Sequence, residues 1–128
     1  MIFQVPYWDI DNVWPKVAEF VQKALDKRNE FSQADIIDAC KRQQMQLWIV
    51  PWNIAVVTQI QTMPRVRRCV LVLCGGNGLD ETNKHELDAI KAWAKSLACT
   101  EMLIDGRDGW TRIYPEFKKI AVTLRAGL

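Results

Sequence analysis

Arg67-Arg68-Cys69-Val70-Leu71-Val72-Leu73-Cys74-Gly75-Gly76-Asn77-Gly78-Leu79-Asp80-Glu81 is the stretch of this 128-residue chain that decides its fold. A strand with one wet face alternates apolar and polar residues, whereas the run from Cys69 to Cys74 is apolar throughout. Such a run suits a central strand covered on both faces. Arg67 to Cys74, beyond the breaker Pro64, is therefore predicted as that strand. Gly75, Gly76 and Gly78 then predict a turn with positive φ, which costs glycine little. A helix follows. Asn83 with Glu86 three residues later is a capping-box pattern, and Leu87, Ile90, Trp93, Ala94, Leu97 and Ala98 share one side of the helix.

Toward the N-terminus, Gln46 to Val50 and Ile54 to Gln61 are rich in β-branched and apolar residues. They read as two strands of a hairpin joined through Pro51, Trp52 and Asn53. Ser32 with Asp35 opens a short helix carrying Ile36, Ile37, Ala39 and Cys40, ending near Gln43. Before it, Val13, Trp14, Val17, Phe20, Val21, Ala24 and Leu25 recur at helical spacing. Asp9 or Asp11 would cap that helix, with Pro15 in its first turn. Met1 to Tyr7 reads as a leading strand. On the C-terminal side, Glu101 to Asp105 is predicted as a strand, Arg107 to Tyr114 as a short helix stopped by Pro115, and Lys119 to Arg125 as a final strand.

Neither a linker nor an internal repeat interrupts this order, so residues 1–128 are expected to form a single domain. Its hydrophobic share of 49% and charged share of 25% are those of an ordinary folded domain. A net charge of +2 argues against a nucleic-acid surface, which needs clustered cations. The one cluster, Arg65, Arg67 and Arg68, reads as a solvated strand entrance, or as a contact for a phosphate or an acidic surface. No apolar run approaches the ~20 residues of a membrane span, and no leader pattern precedes the first strand. The expectation is a soluble, cytoplasmic-type protein. Cys40, Cys69, Cys74 and Cys99 sit inside apolar or helical patterns, which suits reduced core thiols. With His85 the only histidine and no close cysteine pair, no metal site is predicted. Trp14, Trp48 and Trp93 fit core stripes; Trp8 and Trp52 are expected at the surface, where they could meet a protein partner.

Strand, two helices, three strands, helix, strand, short helix and strand: along nearly the whole chain this order resembles the GNAT (GCN5-related N-acetyltransferase) superfamily. The segment Gly106-Arg107-Asp108-Gly109-Trp110-Thr111-Arg112-Ile113-Tyr114 is similar to a Gly-Arg-x-Gly-Trp segment of small GNAT-like proteins of tailed bacteriophages. The resemblance implies an α/β fold, a single GNAT-like domain. Its central sheet would be mixed and mostly antiparallel, with helices on both faces and a splay between the fourth and fifth strands.

In that family acetyl-CoA enters the splay. The resemblance assigns cofactor contact to Val72, Leu73 and Cys74 on the strand edge. The glycine loop Gly75, Gly76, Asn77 and Gly78 would then hold the pyrophosphate, since backbone N–H groups at a helix N-terminus favour an anion. The family's usual Arg or Gln is missing from this loop, and Asp80 and Glu81 stand where phosphate charge would lie. Tyr114 matches the tyrosine that protonates the departing CoA thiolate as general acid, or is a half-buried aromatic finishing a helix. The fourth strand holds no carboxylate, which leaves Glu101 and Asp105 as candidates for the base that deprotonates the acceptor amine.

Two functions follow from the resemblance. One is an acetyl-CoA-dependent N-acyltransferase-like protein acting on an unidentified amine of a small molecule or protein. The other is a non-catalytic GNAT-fold bacteriophage protein with a virion-structural or host-interaction role, residing in host cytoplasm or virion. A homo-oligomer is compatible with either.

Overall fold

The computed structural model describes residues 1–26, 30–106 and 110–128. The chain runs β1 (Phe3–Gln4), α1 (Ile10–Leu25), α2 (Gln33–Lys41), β2 (Gln46–Val50), β3 (Ile54–Thr62), β4 (Arg67–Gly76), α3 (Leu87–Ser96), β5 (Glu101–Ile104) and α4 (Trp110–Ile113). Short 3₁₀ turns at Tyr7–Asp9 and Lys84–Glu86 lead into α1 and α3. The five strands form one sheet in the order β1-β2-β3-β4-β5, antiparallel throughout except for the parallel β4–β5 pair. This is the α/β single-domain architecture, with a mixed and mostly antiparallel sheet, that the sequence implied.

Period-two alternation sorts the strand side chains between two cores. Leu47 and Ile49 of β2 and Ala55 and Val57 of β3 join Trp14, Val17, Val21 and Ile36 of α1 and α2 on one face. Trp48, Ile54 and Val56 join Leu87, Ile90 and Ala94 of α3 on the other. Trp48 carries a polar atom into that second core. Its indole N–H donates to the Thr58 hydroxyl (3.0 Å), which donates to Gln46 Oε1 (2.8 Å). No buried donor is left over in this chain of contacts, which a dry core requires.

Both helices read from the N-terminal half are present, and the Ser32–Asp35 capping box is formed in both directions. Several boundaries differ from expectation. β1 is only two residues, because Pro6 and the 3₁₀ turn from Tyr7 carry the chain off the sheet. That turn runs straight into α1, so Pro15 sits inside the helix rather than in its first turn, where its missing N–H forgoes a bond to the Asp11 carbonyl.

The Asn83–Glu86 box is absent. The Asn83 side chain instead accepts from the Asp80 N–H (2.7 Å) and donates to the Gly78 carbonyl (3.0 Å). Glu86 is drawn to the N-terminus, where it accepts from the Ile2 N–H and pairs with the Met1 ammonium.

Lys119 to Arg125 forms no strand. Its residues are exposed, with Ile120 at 72%, Val122 at 66% and Leu124 at 88%, because the segment pairs with no strand among the described residues and an alternating segment is not stable alone. The predicted helix from Arg107 begins, among the described residues, at Trp110; Arg107, Asp108 and Gly109 lie outside them.

Candidate functional site

β4 pairs with both neighbours from Arg68 to Leu71. On the β5 side the ladder stops at Leu71–Ile104. On the β3 side Val57 faces Leu73 but Thr58 faces Leu71, so Val72 has no opposite residue: it is a β-bulge. The bulge is visible in the side chains too. Cys69 and Leu71 point to the α3 core, whereas Val72 and Leu73 both belong to the α1–α2 core, and Cys74 returns to the α3 side. One extra residue turns and twists the strand, and β4 parts from β5 at this point. The fourth and fifth strands are therefore splayed, and the sequence-assigned Val72, Leu73 and Cys74 lie along the open edge.

On the α1–α2 side the splay opens into a cavity of about 170 Å³. Ala24 and Leu25 of α1, Gln59 and Gln61 of β3, Val72 and Leu73 of β4, and Asp105 just past β5 surround it. The two carboxylates singled out as bases are thereby separated. Asp105 reaches the splay; Glu101 starts β5 at the opposite end, held by Arg68 at 2.9 Å. That ion pair also engages one of the three clustered arginines, and Arg67 donates to the Thr62 hydroxyl (3.1 Å).

The glycines do different things. Gly75 and Gly76 are still strand residues, facing Ala55 and Ile54, so the turn begins later than expected. A Cβ on Gly75 would lie 2.3 Å from the Phe20 carbonyl oxygen of α1, and one on Gly76 (φ +86°) would lie 2.2 Å from the Asn53 oxygen. Close approach of backbone to backbone requires glycine at both positions. Asn77 continues the stitching to the hairpin, its N–H on the Asn53 carbonyl (2.9 Å) and its side-chain amide on the Asn53 amide oxygen. Gly78 (φ +73°) is different: open space surrounds its Cβ direction.

Between Gly78 and α3 the loop supplies its own anion. The Asp80 carboxylate accepts from both the N–H (2.8 Å) and the hydroxyl (2.6 Å) of Thr82, and these bonds hold its pKa below the usual carboxylate value. The N–H groups of Gly78, Leu79 and Glu81 find no protein acceptor among the described residues. The loop thus keeps some anion-binding capacity while its most helix-proximal donors are occupied.

Tyr114 follows α4 directly and is buried on the α3 face. Its ring stacks on Trp110 (6.0 Å between centroids) and meets Phe117 edge-on (5.9 Å). The hydroxyl donates to the Lys84 carbonyl (3.1 Å), tying α4 to the start of α3. Desolvation, reinforced by the nearby Cys74 thiol, raises its pKa above that of an ordinary phenol. Tyr114 is thus protonated at neutral pH and close to the Cys74 edge, with its proton committed to a backbone carbonyl.

The remaining cysteines are free thiols; burial pushes Cys40 and Cys69 up to about 12. Among the described residues no helix is long and apolar enough to cross a membrane, and no three His, Cys, Asp or Glu side chains gather as a metal site. Trp8 and Trp52 are exposed as expected, Trp52 beneath the Lys16 ammonium at 4.5 Å. The sequence reading missed the Val72 bulge and the Asp80–Thr82 clasp. An Asp two residues before a Thr is a local signal for the second; an unbroken apolar run gives none for the first.

The chain matches no protein-family model and no curated protein sequence. Its fold matches solved acetyltransferase structures over their full length. A protein described as a probable acetyltransferase superposes with a TM-score of 0.67 at 13% identity, covering 99% of each chain. Ribosomal-protein-alanine N-acetyltransferase from Brucella melitensis gives 0.64 at 12% identity, covering 100% of this chain and 98% of that one. A predicted acetyltransferase from Clostridium acetobutylicum, solved with acetyl-CoA, gives 0.63 at 13% identity over 99% and 95%. This chain therefore has the GNAT-like fold. The bacteriophage resemblance has no support among these structures.

Proposed function

We propose that this chain is an acetyl-CoA-dependent N-acyltransferase-like protein, taking the cofactor into the splay between β4 and β5 and passing the acyl group to an amine. The observation that carries this reading is the Val72 bulge at the end of the Leu71–Ile104 ladder. Beyond that ladder the β5-facing main-chain groups of Val72 to Cys74 have no strand partner among the described residues, and there a pantetheine amide could pair and a thioester carbonyl could find a donor. The same fold holds acetyl-CoA in the Clostridium acetobutylicum protein.

In this reading the pyrophosphate takes the N–H groups of Gly78, Leu79 and Glu81, displacing the Asp80 carboxylate from the mouth of the loop. Asp105, at the splay, receives the proton of the attacking amine. The amine nitrogen bonds to the thioester carbonyl carbon and the carbon–sulfur bond breaks. Tyr114 turns from the Lys84 carbonyl to protonate the departing thiolate. The test is release of CoA thiol from acetyl-CoA with a panel of primary amines. Tyr114→Phe and Asp105→Asn should each lower the rate by about 100-fold or more while acetyl-CoA still binds.

The Asp80–Thr82 clasp favours a second reading, a non-catalytic GNAT-fold protein whose loop has replaced the phosphate with its own carboxylate. Such a protein would serve assembly or interaction with another protein, and it would release no thiol with any amine.

A further inference from the structure

β5 is an edge strand: among the described residues it pairs with β4 alone, and its outer N–H and C=O groups have no ladder. A second segment with a strand's alternation, Ile120, Val122 and Leu124, runs past it unpaired and exposed. Between the two lies a cavity of about 490 Å³, walled by Glu101–Ile104 on one side and by residues 118–121 on the other. Its floor is apolar, formed by Ala94, Met102, Trp110 and Phe117.

Charge around this slot is one-sided. Among the described residues, Lys91, Lys95, Lys118 and Lys119 line it against only Glu101 and Glu116. Both glutamates are already engaged, Glu101 by Arg68 (2.9 Å) and Glu116 by Lys91 (2.7 Å). Lys95 and Lys118 have no acidic partner among the described residues.

We propose that this slot binds an extended peptide of another protein, with acidic residues alternating with apolar ones, which adds as a strand to the outer edge of β5. Main-chain groups of the peptide would complete the ladder over about 13 Å of β5. Its apolar side chains would cover the floor and the exposed face of Ile120, and its carboxylates would meet Lys95 and Lys118. The C-terminal segment of a second copy fits less well, because it carries Lys118, Lys119 and Arg125 into a slot already lined by lysines. A purely lipid-like anion would leave the β5 edge unpaired.

The test is titration of the ¹⁵N-labelled protein with a synthetic hexapeptide alternating valine and glutamate. The proposal predicts saturable shifts confined to the amides of β5 and residues 118–121. It also predicts at least tenfold weaker binding of the same peptide N-methylated at alternate residues, of a valine–lysine hexapeptide, and of the valine–glutamate peptide to Lys95→Glu/Lys118→Glu protein. The folding of that variant would be checked by its thermal midpoint. No saturable shift at millimolar peptide, equal affinity for the N-methylated peptide, or a mass of two chains in sedimentation with β5 already protected from exchange would overturn it.

Discussion

The carboxylate of Asp80 lies on Thr82, accepting its backbone N–H at 2.8 Å and its hydroxyl at 2.6 Å, in the loop that joins β4 to α3. It supplies an internal negative charge where a phosphate would approach from solvent. If acetyl-CoA binds here, that charge opposes it, and Asp80→Ala should tighten CoA binding about tenfold, read by calorimetric titration. Unchanged affinity would mean that the pyrophosphate never approaches this loop.

Three carboxylates share a depressed pKa. Asp35 is held by the Ser32 N–H and hydroxyl, Asp80 by the Thr82 hydroxyl and N–H, and Glu116 by the Lys91 ammonium. A folded-state pKa below the unfolded value of about 4 stabilises the fold above that value. The contribution is lost as pH falls through the depressed values. Thermal midpoints should therefore hold steady from neutrality to about pH 5 and then decline. Asp80→Asn, which accepts less strongly, should decline less over that window.

Gly75 and Gly78 should separate packing from ligand approach. Gly75→Ala places a methyl against the Phe20 carbonyl oxygen of α1 and should cost about 1–3 kcal/mol or more. Gly78→Ala meets nothing within 4 Å and carries only the strain of φ +73°, about 1–2 kcal/mol. Chemical denaturation measures both. The Gly78 variant should fold and yet bind CoA more weakly than the parent.

Thr58 is fully buried between Trp48 and Gln46. Thr58→Val keeps its shape but leaves the Trp48 indole N–H without an acceptor, a loss of about 1–3 kcal/mol. The indole fluorescence of the folded state should shift as well, which a simple cavity at this position would not produce.

Local chemistry made much of the fold legible. The Ser32–Asp35 box, the hairpin around Trp52 and the core run Cys69 to Cys74 depend on neighbours a few residues away, and each forms where it was read. The same reasoning failed where a distant group competes. Asn83 and Glu86 carry a box pattern as good as that of Ser32 and Asp35, but Glu86 is claimed by the amino terminus 84 residues away. Residues 119–125 alternate as a strand does, but whether such a segment pairs depends on a partner strand that its own sequence does not specify. At the candidate site the splay followed from the family resemblance, whereas the bulge that creates it changes no residue type and leaves no mark in the sequence.

The most direct test of acyl-CoA recognition is titration of acetyl-CoA into the ¹⁵N-labelled protein, following the amides of Val72, Gly78 and Leu79 together with the thermal midpoint. A ligand that binds only the folded state must raise that midpoint by mass action. The account predicts saturable shifts at the bulge and the loop with a rising midpoint. No shift and no rise at millimolar acetyl-CoA would contradict it.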